Sequence, residues 1–597
     1  MPGILQRALW HRGPDDGSHW QELHGSPVTL VHRRLAIQDL TSAGRQPMVS
    51  ACGRYVLVFN GEIYNQHQLR CQLEARGHRF RSSSDTEVLL ELLARDGPSA
   101  LKQLRGMYAF CCWDRHDQRA LLARDPFGIK PLYLWQGPSG ELLFASEVRA
   151  LLATGLVPRC LDQDALAGFL RDGSVPDPLT LVTGVSSLPP GWLGQWQDGV
   201  WSAQPHWQPD FGNAFPQPSQ QTISLTRQAL EQSLHAHLLS DVPIGLFLSG
   251  GIDSTTLLSF AGAALTSLTI GFEESRFDES PRATALARHF GSQHLIMLLS
   301  AEHCNAWLAP FLAAVDQPSV DGFNTYCVAR LASEQGLKVA LSGLGGDELF
   351  GGYPSFRLIP RLLRWHRRLG PFRWRFAKQL ARRQGHRCQR LAAFFLGPAS
   401  PAKAHHCVRG LFSPAEIERL LAHWGLDTSS RSLPSEHPDP ALNPLVPCFP
   451  TLQDEIAWLE TSRYMSNQLL RDSDTYTMAN GLELRLPLVD VQLLSTLLAI
   501  PAGQRLAPGK ELLQRAVPEI VAVAGRVLKR GFSFPFQIWL DQPSSLTHSD
   551  GVLPPLPSTP PGLDLSPWAR RWGLMVLNNW LASHLGIDLP SAPLNRP

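Results

Sequence analysis

Residues 244–254 read IGLFLSGGIDS: an apolar run, a loop of small residues, and a helix expected to start near Thr255. A helix start exposes unpaired N–H groups and carries partial positive charge, so it attracts anions. Gly250 and Gly251 let a phosphate come close to the backbone, and Ser249 and Ser254 add hydroxyl donors. Asp253 is out of place beside phosphates unless a cation bridges it, so its natural role is as a Mg2+ ligand. A glycine turn alone could be only a tight turn. The whole pattern, strand–SGGxDS–helix, is more specific and suits a loop that holds pyrophosphate while ATP is split into AMP and pyrophosphate. The Walker pattern GxxxxGK[ST] does not occur. A second glycine-rich turn, VALSGLGGDELFGGY (339–353), sets Asp347 and Glu348 where a second carboxylate could meet the same metal. A buried acid pair without a cation would be costly.

Those loops need strands to carry them. Apolar runs at 242–248, 265–271 and 339–341 alternate with helical patterns, beginning with an amphipathic one at 222–239, and predict a parallel α/β sheet. Residues 1–205 read differently: short strands such as 54–59, 121–124 and 142–145, broken by Gly, Pro and Asn, with a turn expected at Asn60-Gly61. Helical patches at 66–76 and 85–94 make this half an α+β layered domain. A Pro-, Gln- and Ser-rich stretch at 206–222 is the expected linker. After about residue 355 the chain turns mostly helical, and 542–563 reads as a Pro- and Ser-rich surface loop before a helical tail.

The bulk numbers agree with a folded, multidomain protein: 597 residues, 44% hydrophobic and 18% charged. A net charge of +2 gives no general call for nucleic acid, and a basic cluster at 361–383 with Trp365 and Trp374 reads as a solvated helical face ahead of an RNA or lipid patch. No secretory signal and no apolar run long enough to span a bilayer is present, so a cytoplasmic location without membrane partners is expected. The ten cysteines form no CxxC pair and read as free thiols of a reducing compartment.

Together these motifs resemble the glutamine-hydrolysing asparagine synthetases. SDVPIGLFLSGGIDS (240–254) and LSGLGGDELFGGY (341–353) match their synthetase half. HRGPDD (11–16), HRRLAIQDL (32–40), FNGEIYN (59–65), SSSDTE (82–87), ARDPFGIKPLY (123–133) and FASEVRALL (144–152) match their glutaminase half. RDSDTYTMANGLELRLPLVD (471–490) and LKRGFSFPF (528–536) continue the likeness. The resemblance implies an α+β N-terminal-nucleophile (class II glutamine amidotransferase) sandwich over 1–205 and the linker at 206–222. It then implies an α/β adenine nucleotide α-hydrolase-like (PP-loop) domain over 223–541 with a helical C-terminal part, and a tail at 542–597.

It also implies roles. Leu248, Ile270, Ser342 and Gly343 would hold the adenosine, Ser249 to Ser254 the pyrophosphate, and Asp253 and Asp347 the Mg2+. Lys529 would steady the charged transition state; the plainer reading of Lys529 is a surface charge in a turn. Asn60 and Gly61 would supply oxyanion donors, Arg34 would clamp the glutamine carboxylate, and Asp85 with Glu62 and Gly61 would hold its α-amino group. Asp85 could equally be a helix cap. Small-molecule substrates (aspartate or another carboxylate, with glutamine or ammonia), an apolar ammonia tunnel and a homodimer are further implications.

Two departures stand out. The family's glutaminase nucleophile is an N-terminal cysteine whose α-amino group is the base, and this sequence opens Met1-Pro2-Gly3-Ile4. As written it is expected not to hydrolyse glutamine. Leu344 takes a position where an acid is usual, Thr475 replaces a basic residue and Thr477 a serine. Leucine cannot make a carboxylate's hydrogen bonds. That keeps open a different acceptor, such as a sugar acid, and also a pseudo-amidotransferase that regulates rather than catalyses.

Overall fold

The computed structural model describes residues 1–590 except 24, 213, 215–218, 275, 384, 427–446, 525–534 and 541–553. The first half carries eleven described strands. β1 (Asp16–Glu22) and β2 (Val28–Arg34) form a hairpin. β3 (Met48–Val49), β4 (Tyr55–Ile63), β5 (Gly106–Asp114), β6 (Arg119–Arg124), β10 (Trp192–Gln197) and β11 (Val200–Pro205) form an antiparallel sheet in the order β11-β10-β6-β5-β4-β3. β7 (Tyr133–Gln136), β8 (Leu142–Ala145) and β9 (Val185–Ser187) form a third sheet in the order β8-β7-β9.

Alternation along β4 sorts the sheet's two faces. Leu57 and Phe59 pack with Val88, Leu89 and Leu92 of the helix Asp85–Asp96. Val56 and Val58 pack on Leu30, Leu132, Leu134 and Leu188 from the other sheets and their flanks. The result is a layered α+β sandwich.

The expected turn at Asn60-Gly61 does not form. β4 runs on to Ile63, with Asn60 opposite Ala109 and Gly61 opposite Tyr108. Gly61 holds φ +152°, and a Cβ there would meet the Met107 carbonyl and come within 2.8 Å of the Tyr108 Cα. Glycine is here for a close strand approach, not for a reversal.

In the second half β12 (Ile244–Phe247), β13 (Thr266–Phe272), β14 (Gln293–Leu299), β15 (Val339–Leu341) and β16 (Glu483–Arg485) form an all-parallel sheet in the order β14-β13-β12-β15-β16. Strand order reverses beside β12, and in such sheets the crevice lies past the carboxyl ends of the strands at that switch. Beyond Gly352 the described chain is almost wholly helical, including a continuous run from Leu452–Leu459 through a π-helical stretch, Glu460–Leu470, to Arg471–Met478. Among the described residues no helix is long and apolar enough to cross a membrane.

The described end of the tail is not peripheral. The helix Trp568–Trp580 lies in the largest core, where Trp572 packs on Phe311 and Phe323, and Trp580 donates through Nε1 to the Asp316 carbonyl at 2.8 Å. Trp572 and Trp580 are each 1% exposed.

The two halves are bolted together by buried charge. Arg12 reaches Asp474 at 2.7 Å, Lys130 reaches the same carboxylate at 3.3 Å, and Arg485 reaches Glu62 at 2.7 Å.

Candidate active site

After β12 the chain turns through Leu248 to Gly251 and enters the helix Ile252–Ala261, three residues earlier than the sequence suggests. Gly250 holds φ +69°, a conformation glycine adopts without strain. The hydroxyls of Ser249 and Ser254 stand 3.3 Å apart across the turn. Gly251 occupies the cap position and brings no side chain to it, which leaves the first amides of the helix free to donate outward.

The loop after β15 closes on this turn. A Cβ at Gly343 would lie 2.6 Å from the Ser254 amide nitrogen, and one at Gly346 would strike the Asp253 carboxylate, so only glycine permits the approach. Asp253 and Asp347 converge on one ammonium. Lys510 Nζ is 2.6 Å from Asp253 Oδ1 and 2.7 Å from Asp347 Oδ1. Lys510 is buried and holds φ +60°, a left-handed conformation uncommon for a residue with a side chain. Such strain clusters at functional positions.

A cavity of about 1070 Å³ opens between the two loops. Leu248, Ser249, Gly250, Gly251, Asp253, Ser254, Ile270, Ser342, Gly343 and Asp347 all line it. Asp321, Leu344, Glu348, Tyr353, Arg409, Tyr464 and Asp472 line it as well. Tyr353 donates its hydroxyl to Glu348 Oε1 at 2.7 Å, while Glu348 Oε2 is buried with no hydrogen-bond partner among the described residues. Burial pushes Glu348 up to about 7, and it pushes Asp472 up to about 7 as well. Arg409 lies over the rings of Tyr353 and Tyr464, 4.1 and 3.9 Å from their centroids, and pairs with Glu460 at 2.8 Å.

A second cavity, about 130 Å³, sits in the first half and is lined by Arg34, Asn60, Gly61, Glu62 and Asp85. Asn60 Nδ2 is a buried donor without a partner among the described residues, as an oxyanion donor would be. Asp85 accepts the Ile63 amide at 3.0 Å, and burial raises it to about 6. The cap of its helix is Ser84, whose hydroxyl accepts from Thr86, so capping is not what Asp85 does. Arg34 is less free than the sequence suggests. Its guanidinium donates to the carbonyls of Thr41, at 2.8 Å, and of Gln38 and Asp39. A carboxylate clamp would require those bonds to be exchanged. Glu62 is tied to Arg485 and receives a bond from Gln38, and burial raises its carboxyl well above the usual range.

Residues 4–207 match the glutamine amidotransferase domain family and residues 225–553 the asparagine synthase family. Asparagine synthetase [glutamine-hydrolyzing] 1 of Bacillus subtilis is 31% identical over 559 residues, 90% of this chain and 84% of that protein. The chain belongs to the glutamine-hydrolysing asparagine synthetase family. A putative asparagine synthetase [glutamine-hydrolyzing] of Mycobacterium bovis is 32% identical over 89% of this chain and 83% of its own length. The amidase chry2 of Gibberella zeae is 32% identical over 58% of this chain and 54% of its own length. As a member of the asparagine synthetase family the protein is a carbon–nitrogen ligase, with an N-terminal-nucleophile sandwich followed by a PP-loop α/β domain.

Lys529, the cation expected from the sequence, lies outside the described residues. A described cation that pairs with both loop aspartates, and that sequence reasoning missed, is Lys510. Its local signal is slight, a Pro508-Gly509-Lys510 turn, and its partners lie far away in the chain. Glu348 was noted as a possible metal partner. It points instead to Tyr353, with Asp347 alone beside Asp253.

Proposed function

We propose that this asparagine synthetase family member forms an amide on a carboxylate by splitting ATP into AMP and pyrophosphate, with aspartate as acceptor and asparagine as product. The observation that carries this reading is the meeting of Asp253, Asp347 and Lys510 at the mouth of the uncapped helix Ile252–Ala261. A carboxylate oxygen of the acceptor attacks the α-phosphorus, and the bond to pyrophosphate breaks. The outward amides after Gly251 and the hydroxyls of Ser249 and Ser254 hold the departing pyrophosphate. Lys510 sets a fixed positive charge beside the oxygens on which charge builds. Asp253 and Asp347 are hard oxygen donors suited to Mg2+. Among the described residues no group of three or more His, Cys, Asp or Glu could hold a metal, so phosphate oxygens and water would complete its shell. When bound, the ion neutralises phosphate charge. Ammonia then attacks the acyl carbon, AMP leaves, and the nitrogen loses a proton.

The nitrogen source is ammonia, or glutamine where a nucleophile for its hydrolysis is supplied. One helix, Arg471–Met478, borders both cavities: Asp472 and Ser473 on the large one, Met478 on the small one. At 1.5 Å per residue those positions are about 8 Å apart along the axis, a short way for ammonia between the sites. Leu344 on the wall of the large cavity favours a second reading, the same chemistry on a carboxylate other than aspartate.

The test is AMP and pyrophosphate release from Mg-ATP with aspartate and either ammonium or glutamine. Aspartate-dependent AMP with asparagine formed supports the reading. A folded, nucleotide-binding protein that releases AMP only with another carboxylate sustains the second reading, and one that releases none with any carboxylate ends both.

A further inference from the structure

The helix Ser355–Leu369, whose first turns line the large cavity, and the helix Arg373–Ala381 that follows it have a composition unlike the rest of the protein. Between Phe350 and Pro414 the sequence places 14 of its 54 Lys and Arg and none of its 52 Asp and Glu. The remainder of the chain is therefore net acidic. None of the cations from Arg357 to Arg383 makes an ion pair with a described residue. Arg364 and Arg373 bond only to backbone carbonyls, of Pro360 and Gly370. An uncompensated basic face needs an external anion to lower its self-repulsion.

The same pair of helices carries apolar side chains the core does not use. Ile359, Ala377 and Leu380 point inward, with Phe356, Leu362, Leu363 and Leu369 packed against them. Leu358, Trp365, Phe372 and Trp374 point out, at 40, 56, 66 and 48% exposed. Three exposed aromatics within ten residues of chain suit an interaction surface. Trp and Phe interleaved with Arg on a pair of surface helices is the composition of a helix lying in a lipid headgroup layer. A nucleic-acid groove shares the arginines and can stack bases on aromatics, but it has no use for the exposed Leu358.

We propose that this face seats the protein on an anionic lipid bilayer, with Trp365, Phe372 and Trp374 entering the headgroup layer and the surrounding arginines pairing with lipid phosphates. Arg357, Leu358 and Arg361 belong both to this face and to the rim of the large cavity. Docking therefore brings the cavity mouth to the bilayer surface. The proposal stands apart from the choice of acceptor. It is also compatible with the lack of a spanning helix among the described residues, because such association is peripheral.

The full chain is sedimented with phosphatidylcholine vesicles, plain or containing about 30% phosphatidylglycerol, at low and high salt; about ten-fold more protein is expected on the anionic vesicles at low salt. The triple variant Trp365→Ser, Phe372→Ser, Trp374→Ser alters exposed side chains that line neither cavity. It should lose most of that binding, keep its retention on heparin, and keep the parent's AMP release. Arg364→Gln with Arg367→Gln and Arg368→Gln should weaken both vesicle and heparin binding. Equal uptake on neutral vesicles, vesicle binding untouched by the aromatic substitutions, or retention of single-stranded RNA in preference to anionic vesicles would each overturn the proposal.

Discussion

The charged side chains of the small cavity are held by the protein around them, whereas the large cavity, about 1070 Å³, keeps carboxylates that the described protein leaves partly unanswered. Arg34 is held by backbone carbonyls, Glu62 by Arg485 and Asp85 by the Ile63 amide. At the large cavity Glu348 Oε2 has no described partner, and Asp472 keeps a single hydrogen bond, from Ser319 at 2.6 Å. Groups bound to each other hold a shape, and their loss shows first in folding. Groups aimed at a cavity wait for a ligand, and their loss shows first in turnover.

Three substitutions sharpen or break that contrast. The largest effect is expected at Lys510. Lys510→Met should lower acceptor-dependent AMP release by about a thousand-fold, the scale for removing a charge placed on a transition state. In Mg-ATP its unfolding midpoint should stay near the parent's, because a bound cation would take over Asp253 and Asp347. A variant that unfolds but turns over normally would reverse the roles assigned to the two cavities.

Next comes Arg485→Met, which strands the buried carboxylates of Glu62 and Glu483. Breaking one partner of a buried pair costs about 3–5 kcal/mol, read as a lowered denaturant midpoint. The contrast fails if AMP release falls while stability holds.

The smallest effect depends on pH. The folded state raises Asp472 from 3.8 to about 7, so between those values the native protein holds a proton that the unfolded chain has shed. Stability contributed through this group is therefore lost as pH rises from 4 to 7. Asp472→Asn should match the parent near pH 4 and exceed it by about 4 kcal/mol above pH 7. Chemical denaturation at the two pH values checks the sign; a variant less stable than the parent at pH 8 would mean that Asp472 already has its cation.

The pyrophosphate loop was legible because its chemistry is local. An apolar strand, two glycines and a helix start lie within eleven residues, and the physics of helix ends does the rest. Lys510 was not, since it meets Asp253 across 257 residues and only the packed fold brings them together. Asn60-Gly61 misled because that dipeptide favours hairpin turns, yet pairing with Ala109 and Tyr108 holds it in a strand. The helical tail was legible, but its place in the core was not. The helix Trp568–Trp580 is buried on nearly every side, and its Arg570 and Asn578 are enclosed through long-range partners that leave no local signal. The layered first half and the parallel second half followed from hydrophobic period alone, and the reversal of strand order at β12 did not, because long-range pairing leaves no local mark.

The buried pairs Arg12–Asp474, Lys130–Asp474 and Arg485–Glu62 have a consequence for anyone who would divide this gene. Two fragments cut at the linker and made separately would each emerge with half of every pair, cations and carboxylates suddenly hydrated on surfaces shaped to be dry. Neither piece would be a miniature of its parent. Mixed in one tube, they would be expected to find each other again, and salt would slow the reunion.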